Sequence, residues 1–407
     1  MRSYRNSETK PPIMEGLIPP QELRIPKNEW DRPPWNRWAF QNVRKLLKTS
    51  NVRHGHREIQ PLESNIQDLT NLSFKSSDGT SMSIGTMVEE TYTDGFLIYK
   101  NGQVIHESYF NGMNPSSLHL AQSVSKSIVA TVAGIMIGQK LLDPKELISF
   151  YLPELKYTGW NGATLQHVLD MTSGVKYSEE YTNPTSDVGK TDIASGWHEI
   201  SECYDQSIDW PLCIWDQIIS LKETDSPHGK RFDYRSIESD VIAHVMEQVS
   251  GQDLADLVST KLWTQIGAEE DAYFTVDSSG YSLASGGFNA TLRDFARFGV
   301  LYLNNGLLNQ EQIIPKEWVT DTMTGKHGLF DECSEEIFPN GRYRNQFWVE
   351  DNSKKTIICR GVFGQIIYIS PEYNMVAVKL STWPEFSNKN HTINTLNALH
   401  EIGRTLT

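Results

Sequence analysis

Runs of apolar residues in this chain alternate between two periods. Gly95 to Tyr109 holds two strand-like stretches around Asn101-Gly102, a dipeptide that accepts the backbone of a tight hairpin turn. A second hairpin is expected over Thr356 to Ser381, where Gly361 to Ile369 and Asn374 to Leu380 flank Pro371-Glu-Tyr-Asn374. Between these β segments the period changes. Ser127 to Gly138 is apolar nearly all round, the pattern of a central buried helix, and Val241 to Ser250 carries Ile242, Val245, Met246 and Val249 before a capping Gly251. At the end of the chain, His391 to Leu406 spaces Ile393, Leu396, Leu399 and Ile402 as one helical stripe. Near the start, Phe40, Val43 and Leu47 predict a short amphipathic helix over Asn36 to Ser50 with a solvated basic face. Ahead of it, seven prolines between residues 10 and 35 favour an extended arm that wraps the body.

Strands early, strands late and helices between them predict an α+β fold: an antiparallel sheet sandwiched by helices, with a mainly helical insertion. The expected units are an arm and short helix over 1–89, a sandwich domain over 90–140 and 276–407, and a helical insertion over 141–275.

Composition narrows the function. The 407 residues are 38% hydrophobic, with 11 Trp, 16 Tyr and 15 Phe, enough for a large core. A formal charge of −14 disfavours nucleic acid and anionic lipid as partners. No stretch approaches the length of a membrane span. Cys203, Cys213, Cys333 and Cys359 lack paired spacing, and residues 1–10 are polar, so a reducing, cytoplasmic setting is expected. Oligomeric state stays open, a homodimer among the options.

Candidate chemistry centres on Ser123-Val-Ser-Lys126, which opens the apolar helix. A serine and a lysine three residues apart share a helix face, so the amine can reach the hydroxyl. Burial would depress the amine's pKa toward neutrality, and free N–H groups at the helix start favour an oxyanion. The alternative is a serine that caps the helix beside a lysine that snorkels to water. A second copy, Ser7-Glu-Thr-Lys10, sits in a polar tail with no apolar helix behind it and carries little weight. His54-Gly-His56 is the only close histidine pair and has no carboxylate or cysteine set beside it in sequence, so a metal site is not expected. No Gly-x-Ser-x-Gly elbow occurs.

Further blocks join the first: Leu165-Gln-His-Val-Leu-Asp-Met-Thr-Ser-Gly174, Tyr234-Arg-Ser236, and Ser285-Gly-Gly287 ahead of Thr291-Leu-Arg-Asp-Phe-Ala-Arg-Phe-Gly299. In order and spacing the set resembles the class C β-lactamase-like serine hydrolases. Within them it is most similar to 6-aminohexanoate-dimer hydrolases and related carboxylesterases, through Asn36 to Phe40, Tyr177 to Asp187, Ser195 to Trp197, Gly361 to Gln365 and Leu380 to Pro384. The resemblance implies an α/β sandwich carrying a helical domain, with the active site between them. It implies Ser123 as nucleophile, Lys126 as its base, Tyr234 as proton shuttle, and the backbone N–H groups of Ser123 and Val362 as the oxyanion hole. Tyr181, Asp192, Ser236, Ser285 and Trp348 become the expected substrate-binding residues. No cofactor is required, and the partner is a small ester or amide.

Three departures from the family pattern bear on specificity. Cys359-Arg360-Gly361 stands where β-lactamases carry Lys-Thr-Gly, and strand alternation is expected to turn Arg360 away from the site. Ser236 stands where lactamases have asparagine, and Ser285 where the nylon-oligomer enzymes can present asparagine. The expected activity is therefore serine hydrolysis of esters or linear amides. A carboxylesterase without amidase activity, a D-amino-acid peptidase or β-lactamase, and a catalytically silent binding protein of the same fold are the alternatives.

Overall fold

The computed structural model describes residues 12–406 apart from 206, 326 and 327, with Glu332 and Cys333 described by backbone alone. The Ser7–Lys10 copy and the Cys333 side chain fall outside the described residues.

Both expected hairpins form, and they lie side by side in one antiparallel sheet. Its strands are β1 (Thr93–Lys100), β2 (Gln103–Tyr109), β3 (Arg342–Arg344), β4 (Phe347–Asp351), β5 (Thr356–Gly361), β6 (Gln365–Ser370) and β7 (Met375–Ser381). The spatial order is β3-β4-β5-β6-β7-β1-β2, so the N-terminal hairpin joins the C-terminal strands where β7 pairs with β1. Asn101 and Gly102 turn the first hairpin at φ of 51° and 89°, the left-handed backbone their sequence anticipates.

Four helices organise the layers around this sheet: α1 (Val124–Gly138), α2 (Ile237–Ser250), α3 (Leu292–Leu303) and α4 (Lys389–Thr405). Alternation along the strands supplies both faces. Leu97, Ile357, Cys359, Ile367 and Val378 turn inward to a core shared with Ile128, Val129 and Val132 of α1 and Phe295 and Phe298 of α3. Phe96, Ile98, Ile358, Ile366 and Ala377 turn the other way, against Leu396, Leu399 and Ile402 of α4. Each face of the sheet is thus closed by helix, the sandwich expected from the pattern.

The middle of the chain is mainly helical, with helices at Leu165–Leu169, Asp187–Ala194, Ile214–Ser220, α2 and Leu254–Val258. It returns to the sandwich through a small antiparallel sheet of Thr49–Val52, Ala272–Thr275, Phe288–Thr291 and Leu118–Leu120, in that order.

The expected helix over Asn36 to Ser50 is corrected. The helix covers only Asn36–Ala39, a 3₁₀ turn follows at Val43–Lys45, and Thr49–Val52 is a strand. Cross-strand pairing decides it, since residues 49–52 hydrogen-bond in register with Ala272–Thr275 and cannot also remain helical. The segment is pinned through its buried polar groups. Arg37 donates to Asp94 Oδ1 at 2.8 Å, and the other Asp94 oxygen meets His119 Nε2 at 3.1 Å and the Thr382 hydroxyl at 3.0 Å. The arm ahead of it carries Trp30, which is 1% exposed and packs edge-on against Trp197 with ring centroids 5.0 Å apart.

Among the described residues no helix is long and apolar enough to cross a membrane.

Candidate active site

The strand Leu118–Leu120 runs into α1 through a turn of two residues, and Gln122 takes that turn at φ 50°. A left-handed glutamine is a strained residue, and the strain lifts Ser123 to the first position before the helix. From there α1 supplies the lysine one turn on. Lys126 Nζ donates to Ser123 Oγ at 2.9 Å and to the Ser285 carbonyl at 2.6 Å, and the whole side chain is 1% exposed. Of the two readings of this pair, the snorkelling lysine is excluded by that burial. Removal from water disfavours the ammonium and brings Lys126 down to about 8, while the Glu179 and Asp240 carboxylates act in the opposite sense.

Tyr234 comes from the loop that precedes α2. Its ring lies under the lysine, with Nζ 5.2 Å from the ring centroid, and Tyr234 lines the same cavity as Ser123. Burial, reinforced by Glu179, raises the phenol above its usual value, so it stays protonated. Trp348 of β4 stacks on the same ring at 5.6 Å and an interplanar angle of 21°.

The opposite wall is the turn that links β5 to β6. Phe363 and Gly364 adopt φ of 62° and 92°, and a Cβ on Gly364 would stand 2.3 Å from the Trp383 ring. Phe363 holds its strained backbone through buried contacts, its ring edge-on to Phe40 at 5.4 Å. The N-terminal segment thus braces the turn that presents Val362. Among the described residues the backbone N–H groups of Ser123 and Val362 have no internal acceptor, and both residues line one cavity of about 280 Å³. Tyr181, Tyr234, Trp348, Arg360 and Phe386 line it too. Two unengaged N–H groups beside a serine hydroxyl are the arrangement that a developing oxyanion requires.

Comparison with known proteins gives the chain its family. The family model described as beta-lactamase matches residues 87–401. The chain belongs to the beta-lactamase family. A curated relative, the 6-aminohexanoate-dimer hydrolase of Paenarthrobacter ureafaciens, is 32% identical over 360 residues, 88% of each chain. A Bacillus anthracis structure provisionally named a 6-aminohexanoate-dimer hydrolase superposes with a TM-score of 0.85 at 29% identity, covering 96% of this chain and 99% of that one. EstCE1, a hydrolase with promiscuous acyltransferase activity, has a TM-score of 0.61 at 17% identity over 76% of this chain and 94% of its own, and shows the fold alone. This beta-lactamase-family chain is a hydrolase.

The remaining expected residues are distributed unequally in this member of the family. Tyr181 and Trp348 line the cavity, and Tyr181 stacks on Phe386 at 5.1 Å. Ser236 and Ser285 are 6% and 5% exposed and do not line it. Ser236 donates through its hydroxyl and its N–H to Glu179, and Ser285 offers its carbonyl to Lys126. Asp192 lies outside the lining, near His198, Asp31 and Arg32, and burial raises it to about 7.

Arg360 corrects the expectation from strand alternation. Alternation itself holds, because Cys359 is fully buried in the core shared with α1 while Arg360 points the other way. The cavity, however, crosses the end of the strand and reaches both faces, so Ser123 and Arg360 line it together.

Sequence reasoning missed two acids. Glu179 accepts from the Tyr181 hydroxyl at 2.6 Å and the Ser236 N–H at 2.9 Å. Asp240, buried on α2, accepts from the N–H groups of Ala284 and Ser285 at 2.8 and 3.2 Å and so holds the carbonyl that Lys126 meets. Glu179 carries no spacing signal, but Asp240 follows Ser236 by four residues and shares its helix face, a legible hint. Among the described residues no group of three or more His, Cys, Asp or Glu gathers as a metal site would require.

Proposed function

We propose that the chain is a serine hydrolase that cleaves esters and linear amides of the 6-aminohexanoate-dimer type through a Ser-Lys-Tyr acyl-enzyme mechanism. The observation that carries this reading is the 2.9 Å contact between a buried Lys126 amine and the Ser123 hydroxyl. Neutral Lys126 keeps an N–H on the Ser285 carbonyl and turns its lone pair to the Ser123 proton. Ser123 Oγ attacks the substrate carbonyl carbon, its proton passes to Lys126, and the oxyanion forms between the N–H groups of Ser123 and Val362. As the carbonyl re-forms, the bond to the leaving oxygen or nitrogen breaks and Tyr234 gives that atom its phenolic proton. Lys126 returns a proton to Tyr234. Water then attacks the acyl-enzyme by the same steps reversed, releasing the acid and free Ser123.

Esters are favoured over amides, because Ser285 turns its N–H and carbonyl to Asp240 and Lys126 and supplies no side-chain donor to the cavity. An ester also depends less on a well-positioned general acid. A β-lactam is disfavoured, since the buried Cys359 thiol stands where the family's lactamases carry a cationic lysine.

The test is burst kinetics with an activated nitrophenyl ester, together with labelling by a fluorophosphonate. The expected result is a stoichiometric burst and a label on Ser123, both lost in Ser123→Ala with the fold retained by circular dichroism. A burst that survives the substitution removes Ser123 from the mechanism, and absence of both burst and label in the unaltered chain favours a silent binding protein.

A further inference from the structure

Among the described residues, Arg360 is the only charged one that lines the Ser123 cavity. Its guanidinium lies over the faces of Trp348 and Phe338, 5.0 and 5.3 Å from their centroids. No hydrogen bond or ion pair engages it among the described residues, although the chain carries 51 acidic side chains against 37 Lys and Arg. The buried arginines here are paired, among them Arg235 with Asp233 at 2.8 Å, Arg297 with Asp294 at 2.8 Å and Arg37 with Asp94 at 2.8 Å, whereas Arg360 is half-buried and rests on aromatic faces alone. A cation partly withdrawn from water without an acid loses hydration that nothing offsets, and a ligand anion relieves that loss.

We propose that Arg360 binds a carboxylate on the leaving-group side of the substrate, so that the preferred substrates are esters or linear amides whose departing alcohol or amine carries a terminal carboxylate. This rests on the Ser-Lys-Tyr reading of the same site. The side is assigned by Tyr234. The phenol that protonates the leaving atom and the Arg360 guanidinium pack on the same Trp348 ring, with its centroid 5.6 Å from the phenol ring and 5.0 Å from the guanidinium, and both line the one cavity. Arg360 also precedes Val362 by two residues, roughly 6 to 7 Å along extended backbone. A carboxylate held there therefore sits several bonds from the carbonyl carbon, the spacing of an ω-amino or ω-hydroxy acid as leaving group. The guanidinium presents parallel N–H groups that match a carboxylate, while partial burial and the lack of a competing acid among the described residues sharpen the selection. The same burial lowers Arg360 to about 10, still far enough above neutrality to keep it cationic.

The experiment compares matched pairs. On the leaving side these are 4-acetoxybutanoate and its methyl ester, and on the acyl side monomethyl and dimethyl glutarate. The expected result is that Arg360→Gln lowers the ratio of kcat/KM for 4-acetoxybutanoate over its neutral partner about 10- to 100-fold, mainly through KM, and Arg360→Lys restores part of it. The glutarate ratio moves less than about threefold. A parallel measurement needs no turnover: in Ser123→Ala, calorimetric binding of 6-acetamidohexanoate is expected to exceed that of its N-methylamide, and adding Arg360→Gln removes the difference. If the two ratios fall together, if only the glutarate ratio falls, or if neither moves, the assignment is overturned. Equal binding of the two hexanoyl compounds also overturns it. Failure of the Ser-Lys-Tyr reading would appear separately, as turnover that survives Ser123→Ala.

Discussion

Lys126 Nζ lies 2.6 Å from the carbonyl oxygen of Ser285, a contact shorter than its 2.9 Å approach to Ser123. The Lys126 amine, the proposed base, is therefore aimed by a peptide group, and that peptide group is fixed by Asp240 through the N–H groups of residues 284 and 285. The side chain at 285 is incidental to this contact. Ser285→Ala is expected to retain kcat for an activated ester within about threefold, whereas Asp240→Ala, which frees the 284–285 backbone, is expected to lower it roughly 100-fold, the scale of a misaligned general base. Steady-state kinetics on both variants, with melting curves to exclude unfolding, checks this. Equal losses would mean that the serine hydroxyl itself serves the reaction.

The second expectation concerns pH. Lys126 must be neutral to accept the Ser123 proton, and burial brings it to about 8, so kcat/KM should rise with pH along a limb whose midpoint is near that value. The neighbouring carboxylates favour the ammonium form and raise that midpoint, and Asp240, itself raised to about 7 by burial, titrates together with the lysine. Glu179→Gln removes one negative charge, so the limb should move to lower pH. A pH–rate profile of the variant decides the point, and a limb that stays fixed or moves upward would assign it to another group.

Much of this site was legible in the residues alone, and the exceptions have physical reasons. Ser123 and Lys126 were readable because a helix fixes the relation of positions three apart, and the apolar run behind them announced burial. Tyr181 and Trp348 came from family resemblance, and both line the cavity. Glu179 and Arg360 escaped because their roles depend on where a loop and a strand end fall in space, which no periodicity encodes. Alternation correctly turned Arg360 away from Cys359 and still misled, because the cavity wraps the end of β5. The helix expected over Asn36 to Ser50 failed where Thr49–Val52 found a partner more than 200 residues away. Local pattern cannot see such a pairing.

Tyr234 should separate the two substrate types. Its phenol is held protonated by burial and by Glu179, which suits the proposed part of donor to the leaving atom. A nitrophenolate departs without a proton, but an amine must be protonated to leave. Tyr234→Phe is therefore expected to lower kcat on a linear amide about 10- to 100-fold more than on a nitrophenyl ester. Parallel assays of the two substrates test this, and equal losses would assign Tyr234 to the serine's own deprotonation instead.

The final expectation concerns the helix that carries the proposed nucleophile. Gly134 sits mid-helix in α1, where alanine is ordinarily better by about 1 kcal/mol. Here a Cβ at 134 would stand 2.3 Å from the Trp318 ring, and that indole is 7% exposed and tied by its N–H to the Tyr302 hydroxyl at 3.1 Å. The clash meets the body of a fused ring, not a flexible tip, so α1 must shift or Trp318 must leave its pocket. Overpacking of this kind costs about 1–3 kcal/mol and outweighs the propensity gain. Gly134→Ala should lower the urea midpoint with the m-value unchanged. Because α1 also holds Ser123 and Lys126 against the turn at Val362, the same substitution should lower kcat even where the protein remains fully folded. A variant with an unchanged or higher midpoint would mean that Trp318 yields freely and that α1 is not fixed by this contact.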